Sequence, residues 1–215
     1  MKSKNFIYFT FLCTFIFKAA ICLANPIMPQ EAETFAREQG NTLLQTLAEN
    51  DLQKKYQKID NMFLNNVDLD YIGRFVIGKY WREMTEEQRQ QYLSLFKRYV
   101  ISTYKGFPLQ FEDKITFDIT SIRQDGNDVF VTANIIYHRD TGNETFLTEF
   151  RMHKPQDKIL LLDIKFGESS LILSYRSKFY QMIKSADEDI DWFLEDFELR
   201  VNSAEKYYTL PQKDE

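Results

Sequence analysis

Apolar positions along this chain recur with two different periods, and the change from one to the other divides it. Tyr92, Leu93, Phe96, Tyr99, Val100, Thr103 and Tyr104 return every three or four positions, while Glu86, Glu87, Arg89, Gln90, Lys97 and Arg98 fall largely elsewhere. That spacing predicts a long amphipathic helix with one broad face to bury. Thr85 and Gln88 stand at capping-box spacing and mark its start. Ahead of it, Asp68 or Asp70 opens a shorter segment that ends at Tyr80 and Trp81. There Tyr71, Ile72, Phe75 and Val76 supply an apolar side and Gly73 permits a close backbone approach. Pro29 precedes a helix over about residues 30–49, with Phe35, Gln39, Leu43 and Leu47 as its inner stripe. Asp51 caps a second helix to about residue 65, buried through Tyr56, Ile59 and Phe63.

After Gly106-Phe107-Pro108 the period becomes 2. Four strands are predicted, over about residues 114–123, 128–138, 144–153 and 158–166, and the separators Asp125-Gly126-Asn127, Asp140-Thr141-Gly142-Asn143 and Lys154-Pro155-Gln156-Asp157 are short and polar. Short polar turns between consecutive strands favour an antiparallel meander. Ile115, Phe117 and Ile119 are answered across it by Val129, Val131, Ala133 and Ile135, with Phe130 and Ile136 on the other face. The 3.6 period then returns: Ser169 or Ser170 caps a helix over about 171–184, and Asp187 or Asp189 opens another to about 201. Helices segregated around one sheet define an α+β class. The fourth strand, Ile159-Leu160-Leu161-Leu162-Asp163-Ile164, is apolar on both faces, as suits a sheet curled around helices or one whose concave side bounds a cavity. The pattern alone leaves a filled core and a hollow one as alternatives.

The N-terminus changes how composition is read. Lys2 and Lys4 precede a 12-residue apolar run from Phe6 to Phe17, which Lys18 ends. A spanning helix needs about 20 apolar residues, so residues 1–24 are expected to be a secretory signal peptide cleaved after Ala24. Cys22 raises a lipoprotein alternative, which the bulky Ile21 before it disfavours. Both cysteines, Cys13 and Cys22, then leave with the leader, so the exported chain has no disulfide framework and relies on its core. The mature chain, expected as one domain over 25–201 with a polar tail over 202–215, keeps 24 basic against 32 acidic residues, a formal charge of −8. With no dense basic run, nucleic acid is excluded as a partner, and an anionic bilayer surface would repel the chain.

Catalytic groups are sparse. His138 and His153 are the two histidines, placed ~30 Å apart by the predicted hairpin, too far to share a metal. There is no HExxH, no phosphate-cradling glycine loop and no G-x-S-x-G elbow, and Gly167-Glu168-Ser169-Ser170 reads as a helix cap. Asp68 and Asp70 likewise read as caps. Asp187, Glu188, Asp189, Asp191, Glu195 and Asp196 cluster where the last helix begins and its dipole favours acids. Asp163 is the exception, an acid inside an apolar strand, and Arg176 is its candidate partner in a structural lock. No enzyme, metal or cofactor is implied.

Gly78, Trp81, Arg82, Gln88, Arg89, Phe96 and Tyr104, followed by Asp163-Ile164-Lys165-Phe166-Gly167-Glu168-Ser169 and Ser174-Tyr175-Arg176-Ser177-Lys178-Phe179, resemble the two signature blocks of the MlaC family. These are periplasmic phospholipid carriers of Gram-negative bacteria, first described as toluene-tolerance proteins. The resemblance covers roughly residues 68–179, with two departures: Ile159 stands where the family commonly has Trp, and Glu168 replaces a small apolar residue. It implies a soluble shuttle that holds phospholipid as cargo and moves it between outer and inner membranes, maintaining outer-membrane lipid asymmetry. The implied partners are an outer-membrane lipoprotein-porin complex and an inner-membrane ABC transporter with a membrane-anchored substrate-binding subunit. The lining then expected is Phe75, Phe96, Val100, Tyr104, Phe117, Val131, Ile135, Leu161, Leu171 and Tyr175, each of which would otherwise be ordinary core. A periplasmic chaperone or binding module for an apolar protein segment is the alternative, and an NTF2-like or esterase-like enzyme a third.

The leader makes the first testable statement. Edman sequencing of exported protein should begin at Asn25, and a mature chain retaining a lipid-modified Cys22 would refute the cleavage site.

Overall fold

The computed structural model describes residues 26–105 and 114–209. The leader, residues 106–113 and the tail beyond residue 209 lie outside the described residues. Within them run α1 (Pro29–Leu47), α2 (Leu52–Asn66), α3 (Leu69–Ile77), α4 (Tyr80–Glu83) and α5 (Glu86–Lys105). The strands β1 (Lys114–Asp125), β2 (Asp128–Arg139), β3 (Gly142–His153), β4 (Leu160–Phe166) and β5 (Ser169–Ser170) follow, then α6 (Leu171–Ser185) and α7 (Ile190–Thr209).

Side-chain caps explain where most of the helices begin. Asp51 accepts from the Lys54 amide at 3.1 Å and Asp68 from the Tyr71 amide at 2.9 Å. Thr85 and Gln88 form the expected reciprocal box, and Gln88 also donates to Asp191 at 2.6 Å. Ser170 caps α6 and Asp189 accepts from the Trp192 amide, which selects one residue from each predicted pair. Between α3 and α4 the chain passes through Gly78 at φ +58, a left-handed conformation that glycine adopts without steric cost.

The sheet is an antiparallel meander in the order β1-β2-β3-β4-β5. It has five strands rather than four, because Ser169–Ser170 folds back on Lys165–Phe166 through Gly167 at φ +56. A two-residue strand is too short to show a period. The last helix also runs past residue 201, where the polar tail was expected to begin, to Thr209, and Arg98 binds Asn202 at 2.7 Å and Glu205 at 2.5 Å.

Two separate clusters make the core. The larger is helical and aromatic: Tyr92, Phe96, Phe179, Phe193 and Phe197 are each 1% exposed or less, with ring centroids 5.1–6.3 Å apart. The Tyr92 hydroxyl, buried with them, donates to the Gly73 carbonyl at 2.9 Å. Gly73 earns its place sterically, since a Cβ there would lie 2.9 Å from Leu93 Cδ2. The smaller cluster joins α1 to the sheet through Ile27, Ala32, Val129, Val131 and Met152. Its stripe on α1 is Ala32, Phe35, Ala36 and Gly40 rather than Phe35, Gln39, Leu43 and Leu47; Leu43 is 42% exposed. Small residues four apart bring helix and sheet close but contribute little to a hydrophobicity count.

The helical body attaches along the open side of β4. Val67 forms a parallel bridge to Leu161, and the Asp68 amide donates to the Leu161 carbonyl at 3.0 Å. Asp68 Oδ2 meets His153 Nε2 at 2.8 Å, with the Tyr71 ring 5.6 Å from the imidazole. The His153 hydrogen bond, and then the Tyr71 amide, hold the Asp68 pKa below its usual value against the opposing effect of burial. A depressed carboxylate stabilises the fold fully above its unfolded pKa of about 4, and that stability is lost as pH falls through the folded value. His153→Phe, which retains a ring against Tyr71, should therefore cost roughly 1–2 kcal/mol in urea titrations at pH 7. The gap to the parent should narrow as the pH falls below about 4; a constant gap down to pH 2 would contradict this account.

Candidate functional site

Register sorts the inward side chains of the sheet into cross-strand rows. One row is Gln124-Val129-Met152-Leu161, the next Ile122-Val131-Phe150-Ile164, then Ile119-Ala133-Thr148-Phe166, Phe117-Ile135-Phe146 and Ile115-Tyr137. A bulge between Ile119 and Ser121 keeps β1 in phase. Burial falls along these rows. Val129, Val131, Ala133 and Met152 are 2% exposed or less beneath α1, Phe117 and Ile135 are half-buried, and Phe146 and Phe166 are 46% and 54% exposed.

Gly40 marks where α1 touches the lower rows, because a Cβ there would lie 2.7 Å from Phe117 Cζ. Beyond that contact Ile135, Tyr137 and Phe146 continue as an apolar strip, with the Tyr137 and Phe146 rings edge to face at 5.4 Å. Thr148 lies one row inside it, 1% exposed, and its hydroxyl has no hydrogen-bond partner among the described residues.

The predicted lining residues divide three ways. Phe96 and Val100 are enclosed in the helical cluster, with Phe75, Tyr104 and Tyr175 on its margin. Val131 and Leu161 belong to the cluster under α1. Phe117, Ile135 and Leu171 are half-buried outside both clusters, and register brings Phe117 and Ile135 side by side. Phe146, Thr148, Ile164 and Phe166 complete that inner face and were not among the predicted residues. Period-two alternation through β3 and β4, taken with the β2 register, is the signal that finds them. Tyr104 and Tyr175 carry hydroxyls into the interior, where desolvation first pushes the Tyr104 pKa up to about 12 and drives that of Tyr175 higher.

Asp163 and Arg176 are both structural, but not as a pair. The Asp163 carboxylate accepts from the Ile164 amide at 2.8 Å, the Ser170 hydroxyl at 2.6 Å and the Ile172 amide at 3.0 Å. It thus ties β4 to the first turn of α6, where the helix dipole favours an anion. Arg176 instead donates to the Phe75 carbonyl at 3.1 Å and the Tyr180 hydroxyl at 3.2 Å. It satisfies an orphan carbonyl near the end of α3, and its guanidinium stands 2.8 Å from where a Cβ on Gly78 would be. Free backbone amides already satisfy the acid, which removes its need for a cation.

Other candidate chemistry is accounted for locally. Ser170 caps a helix and is held by Asp163, His138 bonds Thr116 and Asn143, and Glu188 and Asp196 pair with Lys79 and Arg200. Open hollows of about 530 Å³, between Met28, Phe35 and Ile159, and about 270 Å³, between Thr46 and Met62, include none of the expected lining.

A family model described as "MlaC protein" matches residues 37–198. Among solved structures, a phospholipid-binding protein from Ralstonia solanacearum in complex with a phospholipid is similar, with TM-score 0.66 and 21% identity, covering 83% of this chain and 99% of that one. A second, whose name marks it as an NTF2-type variant, reaches TM-score 0.32 at 19% identity over 63% of this chain and 99% of its own. No curated protein matches.

Asp163→Ala should destabilise by roughly 2–4 kcal/mol, because it strands the buried Ile172 amide and the Ser170 hydroxyl. Combining it with Arg176→Ala should give additive losses within ~0.5 kcal/mol in denaturant titrations. Strong non-additivity would show the two side chains acting as a pair.

Proposed function

Because the chain belongs to the MlaC family, we propose that it binds phospholipid in the bacterial periplasm and shuttles it between outer and inner membranes, sustaining outer-membrane lipid asymmetry. One observation carries the reading. The inner face of the sheet continues as apolar side chains past the end of the helix that covers it, so that Phe117 and Ile135 are only partly covered and Phe146 and Phe166 are about half exposed. The solved structure of similar fold, which holds a phospholipid, supports the same assignment. The N-terminal leader pattern supports export. An ABC transporter with a membrane-anchored subunit and an outer-membrane lipoprotein-porin complex are the partners this role requires.

Such a carrier works against a steep gradient. Two acyl chains of about 15 methylenes each, at ~0.8 kcal/mol per buried CH₂, represent on the order of 25 kcal/mol relative to water. Release into water is excluded, and lipid passes only between docked apolar surfaces. Phe117, Ile135 and Leu171, with Tyr104 and Tyr175 from the margin of the helical cluster, are the lining in this reading. Phe96, Val100 and Val131 form the walls behind it, with Phe75 and Leu161 at the joints.

Solvent extraction of exported protein followed by mass spectrometry tests the function. Phospholipid is expected; bound peptide would point to a chaperone, and neither, with ester turnover, to an enzyme. Substitution then locates the lining. Ile135→Trp should leave the melting temperature of delipidated protein nearly unchanged while lowering lipid occupancy. Val131→Trp should overpack the cluster under α1 and destabilise by at least ~1–3 kcal/mol. The reverse pattern would move the site up the sheet.

A further inference from the structure

Thr148 is the one polar side chain in the middle rows of the inner sheet face. It is flanked across the strands by Ala133 and Phe166 and preceded along its own face by Phe146. Its hydroxyl is buried and unpaired among the described residues. A hydroxyl in that setting calls for an acceptor, which a ligand can bring. We infer that Thr148 is a contact within the lipid site that donates a hydrogen bond to an acyl ester carbonyl of a glycerophospholipid, an inference that rests on the lipid-binding reading above.

Charge decides which acceptor fits. The rows around Thr148 hold no cationic side chain: their inward members are Ile119, Ala133, Phe166, Phe117, Ile135 and Phe146. A phosphate brought here would lose its hydration without gaining a counter-charge, which is far costlier than burying a neutral carbonyl. The ester carbonyl lies at the boundary between chains and headgroup, and Thr148 stands at a boundary of the sheet face, between the row of buried Val131 and the row of Phe146. Phe146 and Phe166, its neighbours along and across the strands, are each about half exposed. The headgroup then stays outside those rings while the chains meet the apolar side chains of the face.

An ester and an ether lipid of the same shape separate this contact from simple apolar binding. Delipidated full-length exported protein is mixed with equal amounts of detergent-solubilised dioleoyl phosphatidylcholine and its dialkyl ether analogue, freed of detergent, re-isolated, and its bound lipid quantified by mass spectrometry. The parent should retain the ester lipid roughly 5-fold over the ether, the discrimination expected of one neutral hydrogen bond. Thr148→Val, near in shape, should take up lipid with a ratio near one and melt no lower than the parent. Thr148→Ser should keep the preference, which also covers a valine variant that fails to fold. A parent that carries both lipids equally, or a folded Thr148→Val protein that still discriminates, overturns the ester contact and leaves the lipid function standing. A parent that takes up neither lipid overturns both.

Discussion

The sheet is larger than any one helix can cover. Strands β1, β2 and β3 have twelve residues each and span ~40 Å, whereas the 19 residues of α1 span ~28 Å and a helix is ~10 Å across, about two strand spacings. Covering one end of β1 and β2 therefore leaves the opposite ends of β2, β3 and β4 short of partners. Of the remaining helices, α5, α6 and α7 are committed to one another through the rings of Tyr92, Phe96, Phe179, Phe193 and Phe197, and α2, α3 and α6 meet the sheet chiefly at β4. The decline in burial from Val129 and Val131 to Ile135 and Phe146 follows from that geometry rather than from any change in residue type, since every one of these side chains is apolar.

Holding a sheet with one end uncovered requires a firm joint at its edge, and a few polar residues around β4 provide it. Asp163 anchors β4 to the start of α6, Arg176 carries the tie on to the end of α3, and Asp68 returns to His153 at the end of β3. Gly78 is obligatory in this circuit both for its positive φ and because the Arg176 guanidinium occupies the space a side chain would need. Each of these contacts is to a backbone group or a single neutral or ionised partner. None needs the bidentate acid–arginine pair that composition suggests.

The α+β class, the meander, the helix caps and the double apolar character of β4 were legible because each rests on local chemistry: a period, a turn or a cap. The inner stripe of α1 was not, since Ala32, Ala36 and Gly40 act through their small size, which a hydrophobicity pattern does not register. The Asp163 partners were hidden for a different reason. Backbone amides at a helix start carry no residue-type signal, so the acid invited the arginine of the helix that follows it. The candidate site was half visible: Phe117 and Ile135 show in the alternation, but whether an apolar residue is enclosed or half-covered depends on which helix lies above it. Phe96 and Val100 stand on as regular a stripe as any lining residue and lie enclosed in the helical cluster.

Half-exposed rings and a buried unpaired hydroxyl act thermodynamically in the same direction, for both raise the free energy of the lipid-free protein. Affinity gained this way comes from an unfavourable empty state and not from unusually strong contacts in the loaded one. For a lipid carrier the distinction matters. Contacts with the acyl chains can remain as weak and non-directional as those in a bilayer, so that a lipid leaving for a membrane-like surface exchanges one apolar surrounding for another. In the proposed carrier, the empty protein, with its strip from Ile135 to Phe146 and Phe166 uncovered, would be the state under pressure to reload.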